Sequence, residues 1–185
     1  GVIALAAFFS FHKFMEFPPG VWYDEAINGT DALWIIDHDR LTVWRSSNFG
    51  HSTLYFYLLI ASFKVFGYTV FAMRLVPALA GLSAVFGFYF LARWLTGAVP
   101  ALVATALLAV SRYAVTFSRI SWEASLQPLL EIMAVYFFVR ALETRSRSQF
   151  FLLDGTPATG IYTYLGFRFV PFVMLFFVLY IAATE

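Results

Sequence analysis

Apolar residues in this chain come in long blocks separated by short polar segments, rather than alternating with polar positions as in a half-buried strand. Val70 to Leu95 is the clearest block. Gly97 to Phe117 is a second, interrupted only by Arg112, and Leu126 to Leu142 and Phe167 to Ala183 are a third and fourth. Segments of about 20 apolar residues cross a ~30 Å hydrocarbon core as helices, because every backbone polar group must be satisfied within the segment. Phe150 to Leu165 reads as a fifth span, apolar at both ends around Asp154-Gly155-Thr156-Pro157. Gly1 to Phe11 is too short alone and reads as the tail of a longer helix.

Leu54 to Phe66, with Lys64 near its end, is too short for a span and is expected to lie at the bilayer interface. Sidedness follows from that choice. With this run on the surface, Arg93, Arg140, Arg145 and Arg147 share the cytoplasmic side, as the positive-inside rule requires. The segment from Lys13 to Thr53 then faces outward, and its acids outnumber its bases. Asp24, Glu25, His51, Arg119, Glu123 and Arg168 would all meet on that outer face.

Composition agrees with a lipid environment. The chain is 61% hydrophobic and 12% charged, against roughly 25% charged in soluble domains. The expected fold is all-α: a polytopic transmembrane bundle forming one module over residues 1–185. Residues 12–69 make an external loop with juxtamembrane helices, and 70–185 hold the spans. A net charge of +1 with scattered Lys and Arg leaves no basic stripe for nucleic acid. The absence of Cys excludes thiolate chemistry and disulfides. The chain opens with Gly inside an apolar run, without a charged leader region or a cleavage site, and stops abruptly after another such run; both ends read as cut, as in a fragment.

The most informative polar stretch runs from Phe17 to Leu33. Pro18-Pro19-Gly20 forces a turn. A short helix starting near Tyr23 puts Asp24, Asn28 and Asp31 on one face, with Glu25 on the adjacent stripe. The plain alternative is that both acids decorate the helix N-terminus, where they are favoured by roughly 0.3–1 kcal/mol. Asn28-Gly29-Thr30 fits a glycosylation sequon, a weak three-residue pattern. Asp37-His38-Asp39 has the look of a metal-binding Asp-x-Asp, but a solvated loop fits better in a chain without the soluble strand-end setting of such sites. Glu131, inside a span, is a functional candidate by default, against a plain hydrogen bond to a neighbouring helix.

Pro19-Gly20, Asp24-Glu25-Ala26, Asn28-Gly29 and Asp31-Ala32 after a first membrane helix resemble the first external loop of GT-C glycosyltransferases. The likeness is to the branch holding protein O-mannosyltransferases and lipid A aminoarabinose transferases. It continues in order through Gly50-His51-Ser52-Thr53-Leu54, Phe66-Gly67, Arg74-Leu75-Val76-Pro77, Leu91-Ala92-Arg93, Phe117-Ser118-Arg119 to Trp122-Glu123, and Gly160 to Phe169.

The resemblance implies transfer of a sugar from a polyprenyl- or dolichyl-phosphate donor to a glycan, lipid or protein acceptor. The setting it implies is a multi-pass protein of a bacterial or archaeal membrane with an outward-facing site. By the same resemblance Asp24 is the catalytic base, with Glu25 beside it. An acceptor hydroxyl must lose its proton as it attacks the anomeric carbon, and a positioned carboxylate takes it. Trp22 and Tyr23 are placed to wall in that carboxylate.

The leaving group is a lipid phosphate, so cationic donors should stabilise it. His51 and Arg168 are candidates, and Asn28 joins the expected substrate-binding set. Ser52 departs from the charged pair that family members often carry there, and an interfacial Arg168 is otherwise a common membrane anchor. Arg119 and Glu123, at i and i+4, fit a paired site element or a plain helix salt bridge. The resemblance names no certain cofactor, and Mg²⁺ or Mn²⁺ stays open because carboxylates and phosphate suit either ion. One rival is a transporter or flippase fragment, but such folds carry internal repeats and none is visible; the other is a membrane fragment without activity of its own.

Overall fold

The computed structural model describes residues 1–38, 42–46, 51–144 and 147–184. Asp39, Gly50 and Arg145, read from the sequence above, lie outside them. The chain begins with α1 (Val2–Phe11), α2 (Tyr23–His38), and a two-residue ribbon of β1 (Trp44–Arg45) and β2 (His51–Ser52). There follow α3 (Leu54–Phe66), α4 (Val70–Thr96), α5 (Ala98–Val110) and α6 (Arg112–Phe117). A 3-10 turn (Glu123–Leu126) leads into α7 (Gln127–Thr144), then α8 (Arg147–Ile161). A second 3-10 turn (Leu165–Phe169) leads into α9 (Val170–Thr184).

Helix α4 is the axis of the molecule and packs against α1, α3, α5 and α7. Small residues make this possible. A Cβ on Gly81 would lie 2.7 Å from Ser118 Cβ, so the backbones meet there only because that atom is missing. Thr69 caps the first turn by accepting from the Ala72 amide at 3.1 Å. At the far end Gly97, with φ of 89°, turns the chain straight into α5. The main core lies between α2, α3 and α4, where Tyr55, Phe56, Leu59 and Phe63 of α3 pack on Ala32, Ile35 and Met73. A smaller cluster joins Ala6, Val85 and Ala109 across α1, α4 and α5. Large apolar side chains on α9 point outward, among them Phe172, Val173 and Phe176. That is a surface suited to lipid.

Among the described residues, two helical stretches are long and apolar enough to cross a membrane: Val70–Thr96 and Glu123–Thr144. Three expectations need correction. The Gly97 to Phe117 block is not continuous. It breaks at Ser111, whose ψ of 136° ends α5 and whose side chain caps α6. The block expected from Phe150 to Leu165 forms a helix that starts and stops earlier, as Arg147–Ile161, and then enters a turn. Asp37 and His38 are exposed but helical, not in a loop, because α2 runs on and His38 stacks on Trp34 with ring centroids 4.1 Å apart.

Helix α3 has 13 residues, about 20 Å at 1.5 Å per residue, well short of a bilayer core. Its inner face is buried against α2 and α4. At one end of the bundle Trp94 donates to Glu143 at 3.1 Å, and Arg140 meets the same carboxylate at 3.0 Å, joining the ends of α4 and α7. The polar residues of interest gather at the opposite end.

Candidate active site

The turn Pro18–Gly20 and the start of α2 are held from below by one buried side chain. Arg74, in the second turn of α4, donates from Nη1 to the Pro18 carbonyl at 3.1 Å and from Nη2 to that of Gly20 at 2.5 Å. Its Nε and Nη2 also grip Glu25, at 3.0 and 3.1 Å. Glu25 further accepts from the Trp22 amide at 3.0 Å, as the reaching-back half of a capping box, and from the Ser121 amide at 3.0 Å. With four donors on two oxygens, Glu25 is a wholly internal group. The acid beside Asp24 points into the protein, roughly 100° around the helix from it.

Asp24 faces the other way and lines two cavities. The first, of about 360 Å³, is polar and is also walled by Trp44, His51, Trp122, Glu123, Tyr164 and Arg168. The second, of about 200 Å³, is apolar and lies among Trp22, Thr116, Phe117, Ile120 and Trp122. Trp122 belongs to both, packed against Phe117 on one side and edge-on to Tyr164 on the other. Trp22 and Tyr23 are more exposed than the sequence led us to expect, at 57% and 69%; the Trp22 ring forms one wall of the apolar recess rather than a lid over Asp24.

Three elements hold His51. It sits on β2, its Nδ1 lies 3.2 Å from Glu123 Oε1, and its ring meets Phe56 edge-on. Glu123 Oε2 accepts from Asn28 Nδ2 at 3.0 Å, and the same amide donates to the Ser121 carbonyl at 3.1 Å. Asn28 is therefore a strut between α2 and the Ser121–Glu123 segment, and is turned inward rather than toward a substrate. The hydrogen bond that His51 donates to Glu123 raises the pKa of His51; burial opposes this, and the charges of Glu123, Asp31 and Asp24 add to the rise. Asp31, one more turn along α2, receives Arg45 at 2.7 Å while that guanidinium lies 3.8 Å over the Trp34 ring, pinning the ribbon that carries His51.

Asp24, His51, Glu123 and Arg168 thus share one cavity, and Arg119 does not. It makes no pair with Glu123, because residues 118–122 form no helix and the i, i+4 geometry never arises. Its guanidinium donates instead to the His12 carbonyl, and it lines a separate hollow with Phe17, Pro18 and Thr116. Arg74 was missed as an individual site residue, although an arginine one turn inside a membrane helix is a signal of its own. Glu131 accepts from Gln127 at 2.5 Å, a partner one turn back on its own helix, and lines an apolar cavity between α4, α5 and α7. Among the described residues, no group of three His, Asp or Glu side chains clusters as a metal site.

A carboxylate between a polar hollow lined by His51 and Arg168 and an apolar recess can accept a proton from a hydroxyl while an anionic group is held nearby. No curated protein and no solved structure matches the chain. A family model does: that of dolichyl-phosphate-mannose-protein mannosyltransferases, over residues 50–184. This range takes in α3 to α9 and the His51, Glu123 and Arg168 walls of the polar cavity, and the two long apolar helices agree with the membrane setting of that family. The chain is an integral membrane protein of the glycosyltransferase family named for dolichyl-phosphate-mannose-protein mannosyltransferases.

Proposed function

We propose that this multi-pass protein transfers a sugar from a polyprenyl- or dolichyl-phosphate donor to an acceptor hydroxyl at the outer membrane face, with inversion and with Asp24 as general base. The observation that carries the reading is the position of Asp24 at the junction of the two cavities. In the polar hollow His51 and Arg168 face the donor's sugar phosphate, where charge builds as the glycosidic bond to phosphate breaks. The tryptophan-lined recess takes apolar parts of the substrates. Single displacement by the acceptor oxygen inverts the anomeric centre. Glu25 is here a positioning residue: clamped by Arg74, it sets the turn from which Asp24 projects.

The test is Asp24→Asn, with donor binding and sugar transfer measured separately. Binding survives, and transfer falls by about 10²- to 10⁴-fold, as for loss of a general base. Unchanged transfer would remove Asp24 from that role.

A further inference from the structure

His51 has one ring nitrogen with a partner and one without. Nε2 is buried, and among the described residues nothing donates to it or accepts from it. Buried polar atoms of native proteins are almost always satisfied, and His51 is one of the residues that line the polar cavity, so this orphan calls for a guest. The rest of the ring is fixed. Nδ1 faces Glu123, Glu123 is tied to Asn28, and Asn28 is tied to the Ser121 backbone. A carboxylate on Nδ1 keeps the proton on that nitrogen when the ring is neutral, so Nε2 carries N–H only in the charged form.

We propose that His51, oriented by Glu123, donates its Nε2 proton to the departing phosphate, as the acid that works opposite Asp24. This rests on the proposed transfer reaction. The acceptor oxygen bonds to the anomeric carbon while the bond from that carbon to the phosphate oxygen breaks, and the electron pair stays with that oxygen. The acceptor's proton passes to Asp24, and the His51 proton passes to the phosphate, which leaves as a lipid hydrogen phosphate. Asp24 then loses its proton to water and His51 regains one, so no proton is gained or lost. A phosphate monoester takes up that proton with a pKa of about 6, close to the ~6.5 of imidazole, and matched values favour transfer in either direction.

The charges around the ring suit the role. Glu123 faces it from the turn before α7, Asp24 and Asp31 from α2, and Arg168 from the turn before α9, while Arg45 on β1 is engaged by Asp31. Three acids against Arg168 keep the imidazolium populated above the pH at which a free histidine would lose it.

The experiment follows release of dolichyl phosphate from dolichyl-phosphate mannose, with membranes as the acceptor source, from about pH 5 to 8. Wild-type kcat should fall as pH rises through the His51 titration. His51→Gln keeps a donor near the Nε2 position but cannot ionise; it should lose about a hundredfold at low pH and show no fall over this range. Glu123→Gln should bring the fall to lower pH with little change in donor KM, and Glu123→Asp should restore it. The inference is overturned if Asp24→Asn loses transfer while His51→Gln keeps the wild-type pH profile. Transfer by Asp24→Asn at the wild-type rate would instead overturn the underlying reaction.

Discussion

Arg74 and Glu25 form a two-pronged ion pair, Nε to Oε1 at 3.0 Å and Nη2 to Oε2 at 3.1 Å, with 1% and 0% of the two side chains exposed. The same guanidinium holds the Pro18 and Gly20 carbonyls, so one residue of α4 fixes the approach to α2. Replacing either partner strands a charge in the interior. Arg74→Met or Glu25→Gln should cost about 3–5 kcal/mol, read as a lower unfolding midpoint in detergent. The double variant should lose less than the sum of the two single losses.

A second prediction concerns the loop carrying Trp122 and Glu123. Tyr55 Oη and Ser121 Oγ lie 2.8 Å apart, both buried. Tyr55→Phe leaves the serine hydroxyl without that partner, at about 1–3 kcal/mol. Unfolding midpoints measure the loss. A drop in transfer larger than the loss of folded protein would show that the loop has also shifted.

Gly160 gives a third. A Cβ there would fall 2.3 Å from the buried Phe167 ring, which anchors the turn bearing Arg168. Gly160→Ala should destabilise by about 1–3 kcal/mol through overpacking and weaken donor binding. Gly155→Ala is the control: nothing lies within 4 Å of its Cβ, and a helical Gly to Ala change is expected to be neutral or to stabilise by up to about 1 kcal/mol. Equal effects of the two changes would refute the steric account.

The absence of cysteine makes topology directly measurable. Val43→Cys and Tyr68→Cys, both at exposed positions flanking α3, should react with an impermeant thiol reagent from the same side of the membrane. Leu95→Cys, at the far end of α4, should react from the other. Labelling of positions 43 and 68 from opposite sides would mean that α3 crosses the bilayer and would undo the sidedness proposed for Asp24.

Much of this was legible in the chain, and the failures have identifiable causes. Block length and the short Leu54–Phe66 run pointed to the all-α class and to an α3 too short to span. The helix starting at Tyr23 was readable from the turn before it and the acids in its first turn. Which acid faces inward was not, because the groups that hold Glu25 inside are mostly distant in sequence, Arg74 lying 49 residues and the Ser121 amide 96 residues away. The Arg119–Glu123 pair failed because i, i+4 spacing matters only on a helix, and Ser118–Trp122 is a turn. The break at Ser111 was hidden because apolar content alone does not report where ψ changes.

The clamp on α4 has a mechanical corollary. Arg74 sits about 13 Å from the middle of a helix roughly 40 Å long, so a tilt of about 5° at mid-membrane displaces it by ~1 Å. Helices tilt when bilayer thickness and apolar length disagree, and a misplacement of ~1 Å can slow a reaction about 10²-fold. Acyl-chain length in reconstituted vesicles should therefore act as a throttle on turnover, with one optimum and slower transfer in both thinner and thicker membranes.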